Sequence, residues 1–145
     1  ARGFQRPAVA GRTGGFRGSL TVRVLLDTHL LLWALGTPAR LPPEARRVIR
    51  DADVYVSAAS IWEISIKAAL GKLRADPHEV FAALAPAGFL ALPVTGEHAA
   101  RVIDLQPIHR DPFDRLLVAQ ALGEPMRLLT DDAVLGRYAE SVTVV

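Results

Sequence analysis

The chain has 145 residues, half of them apolar. That is enough to bury one core but not two. It contains no cysteine, which excludes disulfide scaffolds, cysteine zinc sites, iron–sulfur clusters and thiol nucleophiles. No apolar run approaches the ~20 residues a membrane helix needs, so no membrane span is expected; the lack of cysteine fits an expected cytoplasmic setting. Four of the 17 basic residues (Arg2, Arg6, Arg12 and Arg17) fall in residues 1–21, which hold no acid, leaving 13 basic against 15 acidic side chains over 22–145. The basic character therefore belongs to the tail. Charge alone makes no case for nucleic-acid binding by the rest of the chain.

Residues 1–21 also hold five of the eleven glycines and no periodic apolar pattern. This zone reads as a flexible basic arm, an upstream or non-native extension, preceding a single domain over 22–145. From Val22 the pattern changes. Val24-Leu25-Leu26 reads as a first strand, stopped at Asp27, and 28–35 as a helix closed by Gly36 and Pro38. An amphipathic helix is expected over 43–52, a strand over 54–56, a helix over 58–70 closed by Gly71, and a helix over 77–85 opened by Asp76-Pro77. A third strand follows at 89–92, helices at 95–105 and 112–122, a strand at 126–129, a short helix at 132–138 and a last strand at 142–145. Short apolar strands alternating with helices imply an α/β fold: a parallel sheet of about five strands, covered by helices on both faces. In such sheets ligands bind beyond the carboxyl ends of the strands, the edge toward which the covering helices' N-termini point.

Four acids fall at that edge. Asp27 directly follows the first strand, where it could equally cap the next helix. Glu63 lies in Ser57-Ala-Ala-Ser-Ile-Trp-Glu-Ile-Ser-Ile-Lys67, compatible also with a capping box from Ser60 or an i,i+4 pair with Lys67. Asp114 sits in the first turn of a helix that Asp111 and Pro112 already open, and so has no structural task of its own. Thr130-Asp131-Asp132 ends the fourth strand, and one of its two aspartates is free to face the site. At an effective dielectric of 20, each close carboxylate pair repels by roughly 3 kcal/mol at 5–6 Å, a heavy load on a stability of ~5–15 kcal/mol. Such a cluster persists by taking up protons or a cation. Carboxylate oxygens suit Mg²⁺ or Mn²⁺, which polarise phosphoryl oxygens and activate water.

Four segments resemble the PIN-domain ribonucleases, and within them the VapC-type toxins of type II toxin–antitoxin modules. They are Leu-Leu-Asp27-Thr-His-Leu-Leu-Leu-Trp, Val-Ser-Ala-Ala-Ser-Ile-Trp-Glu63-Ile-Ser-Ile-Lys, His-Arg-Asp-Pro-Phe-Asp114-Arg-Leu-Leu and Leu-Leu-Thr130-Asp-Asp132. The resemblance spans 22–145 and implies a PIN-like parallel-sheet sandwich. It implies a four-acid catalytic and metal site of Asp27, Glu63, Asp114 and Asp132, with Asp132 preferred over Asp131. It further implies a Mg²⁺-dependent endoribonuclease, with Mn²⁺ as the alternative ion, acting on an RNA substrate. The implied partners are a second copy of the chain and a VapB-like antitoxin that blocks the site. That antitoxin is expected to lay an amphipathic helix near 43–52 and 58–70 and to reach an Arg into the acids.

Secondary roles follow from position. Thr28 and Thr130 can hydrogen-bond the ligand carboxylates from behind. Arg110 and Arg115 flank Asp114 and can hold phosphate. His29 and His109 are phosphate contacts or idle surface histidines, and Trp33 and Trp62 are core or dimer contacts rather than base-stacking platforms. The alternative function is a non-catalytic interaction module on the same fold, which loss of an acid would have favoured. A phosphatase is disfavoured because Asp27-Thr-His lacks a second acid, and a receiver because Leu92-Pro93-Val94 lacks one. Deleting residues 1–21 should leave the melting temperature unchanged and reduce only salt-sensitive RNA affinity; a large loss of thermal stability in the 22–145 chain would overturn the arm assignment.

Overall fold

A computed structural model of the protein describes residues 21–145. The expected arm, apart from Thr21, lies outside the described residues. Five strands, β1 (Arg23–Leu26), β2 (Asp53–Ser57), β3 (Leu90–Leu92), β4 (Arg127–Thr130) and β5 (Val142–Val144), form one sheet in the order β3-β2-β1-β4-β5. Every pairing is parallel. Six helices connect them: α1 (Thr28–Gly36), α2 (Pro43–Asp51), α3 (Ala58–Ala69), α4 (Pro77–Leu84), α5 (Gly96–Arg101) and α6 (Pro112–Gly123).

Burial on both faces explains why the strands read as continuous apolar runs. Side chains alternate across the sheet, so Val24, Leu26, Val54 and Val56 enter one core while Leu25 and Leu128 enter the other. The first core is filled by Leu30, Leu31 and Ala34 of α1, Ala45 and Ile49 of α2, Ile64 of α3 and Leu84 of α4. The second is filled by Leu117, Val118 and Ala121 of α6, with Leu135. Each fully buried side chain of this size stabilises by about 1.5–3 kcal/mol relative to exposure.

Helix starts are set by side-chain caps. Asp27 accepts from the Leu30 N–H at 2.8 Å, Ser57 from Ala59 at 3.0 Å and Asp76 from His78 at 2.8 Å. Asp111 accepts from both Phe113 and Asp114, at 2.8 and 3.1 Å. Thr95 and His98 cap α5 reciprocally, and His98 also meets Glu124 at 2.7 Å, tying α5 to the end of α6. At the end of α3, Gly71 takes φ +71°, the left-handed turn that favours glycine.

Two expected helices are shorter than the sequence pattern suggested. The one expected over 95–105 ends at Arg101 and tightens into a 3-10 turn, Val102–Asp104. Leu105 is already extended, and Pro107, two residues on, disfavours helical backbone at Gln106. The helix expected over 132–138 is a single 3-10 turn, Leu135–Arg137. Local bonds compete there: the Asp132 N–H donates to Thr130 Oγ1 at 3.0 Å, and Asp132 Oδ1 accepts from Val134 at 2.9 Å.

The strand order creates a switch point. From β1 the chain builds outward through β2 to β3, then returns to β4 on the other side of β1. The crevice between the carboxyl ends of β1 and β4 is therefore where a ligand site is expected. Asp27 and Thr130 stand on its two lips.

Candidate active site

The four expected acids meet at this crevice. A cleft of about 90 Å³ is lined by Asp27, Glu63, Asp114 and Asp132, joined by Asp111, Thr28, His29 and Lys67. Each acid arrives on a different element: Asp27 from the end of β1, Glu63 from the second turn of α3, Asp114 from the first turn of α6, and Asp132 from just beyond β4. Asp131 does not line the cleft; its Oδ1 lies 3.8 Å from His29 Nδ1.

Asp27 is 4% exposed. Its Oδ1 caps α1 and its Oδ2 accepts from Thr130 Oγ1 at 2.6 Å. The Asp27 N–H donates to the Leu129 carbonyl at 3.0 Å, extending the β1–β4 ladder to the site. Glu63, 5% exposed, meets Lys67 Nζ through Oε2 at 2.8 Å, while its Oε1 is buried with no hydrogen-bond partner. The helix begins at Ser57, so Glu63 takes no part in a capping box. Asp132 Oδ2 lies 3.0 Å from His109 Nε2, which also stands 3.5 Å from Asp114 Oδ2.

Other expected residues take different tasks. The Thr28 hydroxyl donates to Ser60 Oγ at 3.0 Å, not to a carboxylate, because α1 points it at the start of α3. Arg115 is occupied by the loop before α6: Nη1 donates to the Gln106 carbonyl and Tyr138 Oη, and Nη2 to the Val102 carbonyl, at 3.1–3.2 Å. It is therefore not held as a phosphate clamp. Arg110 is exposed. Trp33 packs on the first core with the Arg40 guanidinium 5.1 Å over its ring, whereas Trp62 is 61% exposed and meets Phe113 edge-on at 5.2 Å.

Residues 24–141 match the PIN domain family. The chain is also 32% identical over 126 residues to Ribonuclease VapC22 of Mycobacterium tuberculosis, covering 83% of this chain and 97% of that protein. The chain belongs to the PIN-domain family, among its VapC-type members. Its fold is shared with VapBC2 from Rickettsia felis bound to a promoter DNA fragment, at TM-score 0.63 and 11% identity, over 86% of this chain and 98% of that one. DNA-bound VapBC from Salmonella typhimurium gives TM-score 0.60 at 14% identity, over 86% and 98%.

Two members of this PIN-domain cleft, Lys67 and Asp111, were not singled out as site residues in the sequence, and His109, expected only as a phosphate contact or an idle surface histidine, stands against Asp114 and Asp132. Lys67 was legible as a helix partner of Glu63, and the fold turns that pair toward the acids. Asp111 was legible as a cap. The contact of His109 with the acids had no such signal, since its approach to Asp114 and Asp132 depends on how residues 105–111 run.

Burial dominates the electrostatics. It raises Asp27 to about 6, against the opposing bonds from Thr130 and Leu30. It raises Asp114 to about 7, helped by the charge of Asp111, then opposed by His109. The hydrogen bond to Glu63 holds the Lys67 ammonium above its ordinary value. A carboxyl whose folded pKa exceeds its unfolded value contributes stability fully at low pH and loses it as pH rises through the folded value. The metal-free protein should therefore become less stable between pH 4 and pH 7. Asp114→Asn should be near neutral at pH 4 and stabilise by on the order of 2 kcal/mol at pH 8, allowing for partial exposure. Urea unfolding of both proteins in EDTA across this range measures it; a wild type that gains stability toward pH 7 would contradict this electrostatic account.

Proposed function

We propose that this PIN-domain protein is a divalent-metal-dependent endoribonuclease toxin that hydrolyses RNA phosphodiesters and is restrained by a VapB-like antitoxin. The observation that carries the reading is Glu63 Oε1, a buried acceptor without a donor inside a cleft of five carboxylates. Leaving such a group unsatisfied costs about 1–3 kcal/mol, and more when it is charged. A cation removes that cost and the repulsion among the acids together. The donors are carboxylate oxygens, the chemistry that suits Mg²⁺ or Mn²⁺.

Asp27 and Asp114 are the main ligands in this reading, with Glu63 and Asp132 completing the set. Bound there, the ion would supply Lewis-acid polarisation of a phosphoryl oxygen and a more acidic water. The chain does the rest. Thr130 and the Leu30 N–H hold Asp27 in one orientation, so its carboxylate is placed before substrate arrives. Asp132 stands at the mouth and can orient the attacking water. Lys67 balances part of the negative charge that RNA must approach. Arg110, exposed and next in sequence to Asp111, is the one of the two expected arginines still available to phosphate.

The relatives guide the partners. VapBC from Salmonella typhimurium is a DNA-bound assembly, and FitAcB from Neisseria gonorrhoeae has the same fold at TM-score 0.55 and 20% identity. The surface that best fits an antitoxin tail is a groove of about 840 Å³ between α1 and α4, which shares His29 with the acid cleft. The exposed face of α2 is largely charged, so the tail belongs on α1 and α4 rather than near 43–52. Exposed Trp62 and Ile66 of α3 and Leu70 just past its end, with Phe81 of α4, offer an apolar face for a second copy. No helix among the described residues is long and apolar enough to cross a membrane; the reading places the enzyme in the cytoplasm with its RNA.

Cleavage of total RNA by the full chain tests the reading. Activity should require Mg²⁺ or Mn²⁺, vanish in EDTA, and fall by roughly 100-fold or more in Asp27→Asn and Asp114→Asn, a loss of about 3 kcal/mol of transition-state stabilisation. Full activity in EDTA would contradict it.

A further inference from the structure

His109, Asp114 and Asp132 each offer an atom within 4.8 Å of the others, an arrangement that by distance alone resembles a mixed histidine–carboxylate metal site. The hydrogen bonds around the imidazole give a different answer. The Asp111 backbone N–H donates to His109 Nδ1 at 3.0 Å. A backbone N–H cannot accept, so Nδ1 must present a lone pair, and the ring hydrogen must sit on Nε2. Nε2 in turn lies 3.0 Å from Asp132 Oδ2 and 3.5 Å from Asp114 Oδ2. A histidine that binds a metal through Nε2 keeps its hydrogen on Nδ1 and donates it to an acceptor behind the ring. Here that position holds another donor, and the two N–H groups would face each other.

We propose that His109 is a positioning residue, a fixed Nε2–H donor that holds Asp132 in place beside Asp114, and not a nitrogen ligand of the cation. Its purpose rests on the reading of the cleft as a cation site; the identity of the donor does not.

The surrounding chain holds the ring in this role. The His109 backbone N–H donates to Tyr138 Oη at 2.8 Å, and its carbonyl accepts from Arg115 Nη1 at 3.4 Å. The same guanidinium reaches Tyr138 Oη at 3.2 Å and the Gln106 carbonyl at 3.1 Å, closing a network under the loop. Arg115 thus acts on the site through His109, without touching phosphate. At Asp132 the result is a carboxylate with one donor on each oxygen, Val134 N–H on Oδ1 and His109 Nε2–H on Oδ2. Its orientation is fixed, and each oxygen keeps a lone pair for water or a cation.

Long-range ¹⁵N NMR of the metal-free, full-length protein, with the His109 signals assigned by His109→Gln, reads the tautomer directly. A protonated Nε2 and a bare Nδ1 are expected; hydrogen on Nδ1 would overturn the proposal. Pulsed EPR of the Mn²⁺-loaded wild type should show no coordinated nitrogen, and a nitrogen coupling lost in His109→Gln would also overturn it. In Mn²⁺ titrations, His109→Ala should weaken binding by about 10–100-fold. His109→Gln, whose amide N–H can occupy the Nε2–H position, should recover most of that loss, whereas a nitrogen-ligand role predicts no recovery. A loss below twofold in His109→Ala, or a Gln variant no better than Ala, would refute the positioning role. A wild type that binds no Mn²⁺ would refute the proposed metal chemistry, and the tautomer measurement would still decide the role of His109.

Discussion

One hydroxyl joins the two halves of the site. Thr130 Oγ1 donates to Asp27 Oδ2 at 2.6 Å and accepts from the Asp132 N–H at 3.0 Å. Asp27 ends β1 and Thr130 ends β4, the strands on either side of the switch point, so this contact links the sheet's two outward-growing halves at the edge where a ligand belongs. Asp27 also caps α1, whose Leu30 and Leu31 enter the first core. Backbone order at the site is therefore inherited from core packing on both sides of the sheet.

The same contact shows how the fold tolerates the charge it concentrates. Burial disfavours the ionised forms of Asp27 and Asp114, and the fold supplies donors to some of the acid oxygens rather than full compensation. Thr130 and Leu30 N–H serve Asp27, Lys67 serves one oxygen of Glu63, and His109 and Val134 N–H serve Asp132. Glu63 Oε1 is left over. Satisfied on every oxygen, the cluster would be more stable and would have less to offer a cation. The incomplete pairing is a local departure from a well-packed interior of the kind that marks functional sites.

Much of this was legible in the sequence, for identifiable reasons. Apolar runs such as Val24-Leu25-Leu26 revealed buried parallel strands because both faces of the sheet are covered. Asp111-Pro112 marked the start of α6, which left Asp114 without a structural task. Ordered segments around Asp27, Glu63, Asp114 and Thr130-Asp-Asp132 pointed to the PIN-domain family. Less legible was whatever depends on irregular backbone. The helix expected over 132–138 is a 3-10 turn because Asp132 bonds locally, and the path of residues 105–111, which carries His109 to the acids and occupies Arg115, follows no periodic pattern. Thr28 was placed on the correct edge, but its hydroxyl found Ser60 across the α1–α3 contact, a partner 32 residues away.

The central claim is that the cleft is built around a cation that the buried Glu63 oxygen awaits. Anomalous diffraction from crystals of the protein soaked in Mn²⁺ addresses it most directly. The account predicts one strong anomalous peak in the cleft, in contact with Glu63 Oε1 and with carboxylate oxygens of Asp27 and Asp114. A cleft without a peak at saturating Mn²⁺, with Glu63 Oε1 still unpartnered or turned to a water, would contradict it.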